Sequence, residues 1–230
     1  RGRRVSRDAM ASLYALTFED AFRAGEAMAD AFAEDPLWLK IFEGESDVPR
    51  KRQACFEVPI RHCLRYGAAY ATSKALEGIA AFVPGELGDM SLWRMLRSGA
   101  WSCGMRMGAA AGGRLADLRV LSRDRAQISS VRPLTYPLLL GVRKAHRGRG
   151  LGGVLLRALI EDCERQGLPI YLETETEENV RLYERFGFEL IRRVDLARLH
   201  LPMWEMMREP RDHPVDPATV GRRTQEAAWT

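Results

Sequence analysis

The chain has 230 residues, of which 46% are apolar and 29% are charged, and its formal net charge is +4. This length and apolar content suit one large domain with its own core. No run of 18 apolar residues occurs and no apolar segment follows the basic N-terminus, so we expect neither a membrane span nor a signal peptide.

The N-terminal half begins with a basic arm over residues 1–11, which we predict to be mobile. The arm lacks interleaved aromatic residues, so we expect no nucleic-acid partner. The periodicity that follows predicts these elements: a strand over 12–17, a helix from Phe18 to Asp35-Pro36, a helix over 50–66, and a hairpin of strands over 68–72 and 78–83. The first helix is predicted to end at Asp35 because the residue before a proline avoids the α region.

Residues 85–130 form a helical insertion in the pattern. Four glycines interrupt it, so we predict two helices with a break between them: Gly104, Gly108, Gly112 and Gly113. The predicted elements after it are a strand over 137–142, a helix over 150–166, a strand over 170–174, a helix over 178–186, and a hairpin of strands over 188–194 and 201–207. Residues 209–230 are charged, contain prolines and are predicted to form a poorly ordered tail.

The most informative segment is the basic, glycine-rich loop Arg147–Gly153 between a strand and a helix. Its glycines allow the backbone to approach a ligand, and the unpaired N–H groups of the first helical turn attract phosphate. A nucleoside-triphosphate loop is excluded because no Gly-Lys dipeptide occurs. Two interpretations remain, a dinucleotide site and the pyrophosphate arm of an acyl-coenzyme A site.

The dinucleotide interpretation uses Gly148, Gly150 and Gly153, with Glu173 twenty residues further on as the ribose-binding acid. In that fold, however, the first glycine lies in a tight turn at the end of the strand, whereas residues 143–147 separate this strand from Gly148. The acyl-coenzyme A pattern, Arg147-x-x-Gly150-x-Gly152, fits the observed spacing after the strand.

Two later segments extend the second interpretation, Tyr171-Leu172-Glu173-Thr174 and the phrase from Asn179 through Tyr183-Glu184 to Gly187-Phe188. With the loop, they resemble the GNAT superfamily of N-acetyltransferases, and most closely its puromycin N-acetyltransferase-like branch. The resemblance implies an α/β (α+β) GNAT fold, in which a mixed, mostly antiparallel sheet of six to seven strands carries helices on both faces. The GNAT domain would span residues 12–208.

The resemblance also implies an activity, which is transfer of an acetyl group from acetyl-CoA to a primary amine of a small molecule in a ternary complex. Tyr183 would be the general acid that protonates the leaving thiolate, and Glu173 the best candidate base, with Tyr136 as the second. The residues expected to bind the coenzyme are Leu140 and Val142 through their backbone, Arg147, Gly148, Arg149, Gly150, Leu151, Gly152 and Gly153 at the phosphates, and Asn179 near the sulfur.

One segment departs from that branch, which has His-Trp-Tyr-Leu where this chain reads Leu134-Thr135-Tyr136-Pro137. The difference leaves the acceptor undetermined, and it leaves a non-catalytic acyl-CoA-binding sensor as the alternative function, ahead of an NAD-dependent oxidoreductase. The insertion over 85–130 is expected either to wall the acceptor pocket or to pack beneath the sheet.

The cysteines and histidines indicate no metal site, because none forms a C-x-x-C pair or a cluster. We predict reduced, buried thiols in a cytoplasmic protein, at Cys55, Cys63, Cys103 and Cys163. No nucleic-acid or membrane partner is expected, and the chain is predicted to be a monomer or a homodimer.

Overall fold

A seven-stranded sheet crosses the computed structural model, which describes residues 9–211. Its strands are β1 (Tyr14–Ala15), β2 (Ala68–Ala71), β3 (Gly78–Pro84), β4 (Thr135–Val142), β5 (Ile170–Thr174), β6 (Glu189–Leu196) and β7 (Leu201–Arg208). The order is β1-β2-β3-β4-β5-β7-β6, and every neighbouring pair is antiparallel except β4 with β5. The predicted fold class, a mixed and mostly antiparallel sheet with helices, is confirmed.

Nine α-helices lie within the described residues. They are α1 (Ala21–Ala31), α2 (Pro36–Ile41), α3 (Val48–Tyr66), α4 (Leu92–Arg97), α5 (Trp101–Met107), α6 (Ala109–Leu115), α7 (Arg119–Val131), α8 (Leu151–Gln166) and α9 (Glu177–Glu184). None of them is long and apolar enough to cross a bilayer.

Helices cover both faces of the sheet because alternate strand residues point to opposite sides. On β2, Ala69 and Ala71 belong to the apolar cluster that holds α1 and α3. The intervening Tyr70 packs with Leu156 and Leu159 of α8 on the other face. The alternation therefore divides the interior into two layers, one on each side of the sheet.

Two predictions near the N-terminus need correction. Met10 lies in a short 3₁₀ turn and is buried against the α8 layer, so the part of the predicted arm at residues 9–11 belongs to the folded domain. The first helix ends at Ala31, and Asp35-Pro36 begins α2 instead of ending α1. The Asp35 carboxylate accepts hydrogen bonds from the N–H groups of Leu37 and Trp38, at 3.0 and 3.3 Å, so it acts as an N-cap.

The terminal predictions fall mostly outside the described residues. This applies to residues 1–8 of the arm and to residues 212–230 of the tail. Within the described part, the backbone N–H of Arg211 donates to Glu164 at 2.7 Å, and Arg132 forms an ion pair with Glu209.

The insertion contains four helices, α4 to α7, and the prediction of two is wrong. Gly108 separates α5 from α6 with φ of +92°, a conformation that side chains with a Cβ rarely adopt. Different parts of the insertion pack in different places. Ala100 and Cys103 pack against Val58 of α3, whereas α7 lines a cavity together with the end of β5.

The sheet opens between its two parallel strands. β4 and β5 are paired in register only at Thr135 with Ile170. The pairing of β4 with β3 contains a bulge near Leu138, where the register shifts between Ala81 and Phe82. A bulge bends its strand and increases the local twist, so β4 diverges from β5 beyond this point.

Candidate functional site

A cavity of about 710 Å³ occupies the opening between β4 and β5. Its walls come from α2, α7, α9 and the two diverging strands. It contains four residues that the sequence analysis singled out, namely Tyr136, Glu173, Asn179 and Tyr183, and also Leu140.

Glu173 is held by two side chains. The Tyr136 hydroxyl donates to Oε2 of Glu173 at 2.5 Å, and Nη1 of Arg125 contacts Oε1 at 3.3 Å. The Glu173 side chain is only 10% exposed. The two candidate bases therefore form one hydrogen-bonded unit, with Arg125 as its third member.

Burial sets the protonation of this unit. It raises the pKa of Glu173 above the ordinary value, and the charge of Arg125 and the hydrogen bond from Tyr136 offset part of that shift. Burial and the neighbouring Glu173 carboxylate raise the pKa of Tyr136 well above its ordinary value. Glu173 is thus the member that loses its proton at the lower pH, while Tyr136 keeps its proton.

Arg125 is the residue that sequence reasoning missed. It is 4% exposed, its guanidinium lies 4.1 Å from the centroid of the Tyr136 ring, and Nη2 contacts Asp89 at 3.2 Å. It comes from the insertion, 48 residues before Glu173 in the sequence. No local motif surrounds it, so the helical pattern of α7 was the only available signal.

Tyr183 and Asn179 lie on α9 and both line the cavity. Burial and the nearby Glu175 raise the pKa of Tyr183, so its phenol stays protonated at neutral pH. The backbone N–H of Asn179 donates to the Thr176 hydroxyl at 3.2 Å, which caps the helix. Asn179 is therefore both a helix N-terminal residue and a cavity residue.

A further acid, Glu175, lines the same cavity. Glu175 is hydrogen-bonded to Asp35, and burial together with this partner raises the pKa of Glu175 well above its ordinary value. Glu175 therefore holds its proton to a higher pH than an exposed glutamate does.

The glycine-rich loop presents a row of unpaired donors. Within residues 9–211, none of the backbone N–H groups of residues 148–153 donates a hydrogen bond, and the first N–H of α8 that does so is Val154, to Gly150 at 3.1 Å. Gly148 and Gly150 have φ of +75° and +77°, which turns successive N–H groups toward the same side. The N-terminus of α8 adds its helix dipole, so the loop suits an anion.

Two cationic residues, Lys144 just before this loop and Arg147 at its start, contact the last residues of α1 and the segment just after it. Arg147 donates from Nη2 to the carbonyl of Ala31 at 2.5 Å, and its Nη1 lies 3.5 Å from Glu34. Lys144 Nζ pairs with Glu34 at 2.5 Å, and its backbone N–H donates to Asp30 at 2.9 Å. These contacts fix the loop against the rest of the domain and leave the phosphate contacts to the backbone.

Leu140 and Val142 are both paired with β3, opposite Ala80 and Gly78. Leu140 lines the cavity, whereas Val142 lies beyond it, toward the glycine-rich loop. β4 thus connects the cavity with the anion-binding loop.

The dinucleotide interpretation does not fit this fold. A dinucleotide fold needs a mostly parallel sheet, but among the strands of residues 9–211 only β4 and β5 pair in parallel. Glu173 contacts Tyr136 and Arg125 inside the cavity and not a ribose position beside the loop.

Two observations concern cysteines and metals. All four cysteines are buried. Among residues 9–211, no three His, Cys, Asp or Glu side chains are placed to hold a metal ion.

The family model of the GNAT acetyltransferases matches residues 115–188, which run from the insertion through the loop to the end of α9. A protein of Schizosaccharomyces pombe described as an uncharacterized N-acetyltransferase is 28% identical over 203 residues, covering 84% of this chain and 81% of its own.

Two solved structures share the fold. A putative arylalkylamine N-acetyltransferase 7 from the yellow fever mosquito superposes with a TM-score of 0.63 at 17% identity, covering 85% of each chain. The polyamine N-acetyltransferase of Drosophila melanogaster superposes with a TM-score of 0.60 at 15% identity, covering 86% of this chain and 98% of its own. At these identities the likeness concerns the fold alone, and the placement in the puromycin branch stays a prediction.

Proposed function

We propose that this chain, which matches the GNAT acetyltransferase family model over residues 115–188, transfers an acetyl group from acetyl-CoA to a primary amine of a small molecule. One observation carries the proposal. The gap between β4 and β5 has six unpaired N–H groups, of residues 148–153, near one end, and a cavity containing Glu173 and Tyr183 at the other. An extended coenzyme can place its phosphates on the loop and its thioester in the cavity.

In this proposal the loop from Arg147 to Gly153 binds the pyrophosphate mainly through its backbone, as the unpaired donors support. The pantetheine arm follows β4, where the backbone groups of Leu140 and Val142 bond its amides. Asn179 contacts the coenzyme near its sulfur end.

Acetyl transfer needs a general base, a general acid and direct attack of the amine on the thioester. Glu173 accepts a proton from the substrate ammonium, directly or through a water, and the free amine then attacks the thioester carbonyl carbon. The C–S bond breaks as Tyr183 gives its proton to the sulfur, and the tyrosinate recovers a proton from the new amide nitrogen. Each turnover thus yields the acetamide, CoA thiol and one proton, which leaves through Glu173.

The protonation states support these roles. A carboxylate with a raised pKa is a stronger base than an exposed one, and a buried phenol remains protonated until the thiolate forms. Arg125 and Tyr136 act as positioning residues that hold the Glu173 carboxylate.

The test measures release of CoA thiol when acetyl-CoA is mixed with a panel of small amines. We expect thiol release that depends on the amine and falls by about 10²-fold or more in Glu173→Gln. Binding of acetyl-CoA without amine-dependent thiol release would favour the acyl-CoA-binding sensor. The cytoplasmic location and the choice between monomer and homodimer stay predictions.

A further inference from the structure

Two cations of α7 line the same cavity without an anionic partner. Arg119 and Arg123 lie one helical turn apart, are exposed and line the cavity with Ser122. Within the described part of the chain, neither guanidinium forms an ion pair or a hydrogen bond.

The acids of the cavity, by contrast, each contact another side chain. Glu173 and Asp89 both contact the buried Arg125. Glu175 is hydrogen-bonded to Asp35. Among the charged groups that line this cavity, Arg119 and Arg123 are therefore the two that have no ion-pair or hydrogen-bond partner within residues 9–211.

The coenzyme phosphates do not account for these two arginines. The glycine-rich loop is fixed to the end of α1 through Arg147, and none of its residues lines the cavity. The first turn of α7 lies beside the turn between β6 and β7, because Asp117, just before the helix, accepts hydrogen bonds from the N–H groups of Arg198 and Leu199 at 3.1 and 3.2 Å. The two cationic regions therefore belong to different parts of the site.

We propose that the acceptor is an amine that also carries a carboxylate, which Arg119 and Arg123 bind while the amine faces Glu173. This inference rests on the proposed acetyl transfer and names the substrate class of that site. Guanidinium groups suit a carboxylate because their parallel N–H donors match its two oxygens. A diamine would instead place its second ammonium near two unpaired cations, so the same residues select against polyamines.

The experiment compares three acceptors of similar length and similar amine basicity, in the CoA thiol assay. They are an ω-amino acid, its carboxamide and the corresponding diamine. We expect kcat/KM to be about 10- to 100-fold higher for the amino acid, because the carboxamide and the diamine lack the carboxylate that forms charged hydrogen bonds with the two guanidinium groups. In Arg119→Gln/Arg123→Gln the advantage over the carboxamide should disappear, mainly through a higher KM for the amino acid.

Arg65→Gln is the matched control. Arg65 is exposed on α3 and does not line the cavity, so this variant removes a positive charge elsewhere on the surface. It should keep the preference for the amino acid. A similar loss in Arg65→Gln would assign the effect to overall charge and overturn the proposal.

The outcomes also separate this inference from the proposed function. Acetylation of the carboxamide or diamine in preference to the amino acid would overturn the carboxylate site and leave acetyl transfer standing. An unchanged preference in the double variant would do the same. Thiol release with none of these acceptors or other small amines would refute the proposed function itself.

Discussion

Gly150 offers a direct test of the phosphate loop. Its φ is +77°, and a Cβ added there meets no atom within 4 Å, so a side chain would project into open space in front of the loop. In Gly150→Asp the new carboxylate would occupy the position that we assign to a phosphate of the coenzyme. We therefore expect the variant to fold and to lose acetyl-CoA binding.

The magnitude follows from two terms. Holding a non-glycine residue in this conformation costs about 1–2 kcal/mol, and Asp tolerates it better than most residues. Two like charges about 4 Å apart at the protein surface repel by about 4 kcal/mol. The repulsion alone predicts a loss of affinity of about 10³-fold.

Gly44 provides the matched control. Its φ is +73°, a Cβ there also meets no atom within 4 Å, and it lies in the turn after α2. Gly44→Asp thus introduces a similar backbone strain and the same charge at a different place. Titration calorimetry with acetyl-CoA should show near wild-type affinity for Gly44→Asp. Wild-type affinity in Gly150→Asp would refute the loop as the phosphate site, and equal losses in both variants would indicate general destabilisation.

Three further variants test the site and the stability of the folded protein. Tyr183→Phe should lower kcat by about 10²-fold with unchanged acetyl-CoA affinity, and an unchanged kcat would remove Tyr183 from the mechanism. Tyr136→Phe should stay active but shift the acidic limb of kcat/KM to higher pH, because the hydrogen bond from Tyr136 lowers the pKa of Glu173 and its loss raises that pKa again. Complete inactivity would instead favour Tyr136 as the base. Glu205 is 1% exposed, and burial and then its neighbour Asp124 raise its pKa from 4.5 to about 7, so the folded protein holds a proton that the unfolded chain releases. The free energy of unfolding should therefore fall by up to about 3 kcal/mol as pH rises from 4.5 to 7. Urea unfolding at several pH values should show a smaller fall in Glu205→Gln, and an unchanged fall would contradict the assignment.

The segment from β4 to α9 could be predicted well because its signals are local. The strand over 170–174 and the helix over 150–166 agree with Ile170–Thr174 and Leu151–Gln166 to within one residue. Glycines bound that helix at both ends, with positive φ at Gly150 and Gly167, so the start and stop signals lie in the sequence itself. The parts of the site that depend on this segment were therefore available without a structure.

Signals with two meanings, and contacts between distant segments, could not be predicted. A proline after an N-capping residue can end one helix or begin another, and at Asp35-Pro36 the cap contacts decide for the second. No local sequence motif marks Arg125, because its role depends on its contact with Glu173, 48 residues further along the chain. The interruptions of the insertion were visible as glycines, but the number of helices depends on which glycines adopt positive φ.

Arg125 also bears on the choice between the two candidate bases. Burial alone would keep the Glu173 carboxyl protonated, and a protonated carboxyl cannot accept a proton from the substrate. The nearby guanidinium lowers the pKa of Glu173 part of the way back, whereas the charge of Glu173 raises that of Tyr136 further. The same cluster thus separates the two pKa values, which favours Glu173 as the base and Tyr136 as the donor that holds it in place. Because Arg125 and Tyr136 already hold this base, Arg119 and Arg123 of α7 are not needed to position it and remain available to bind the substrate.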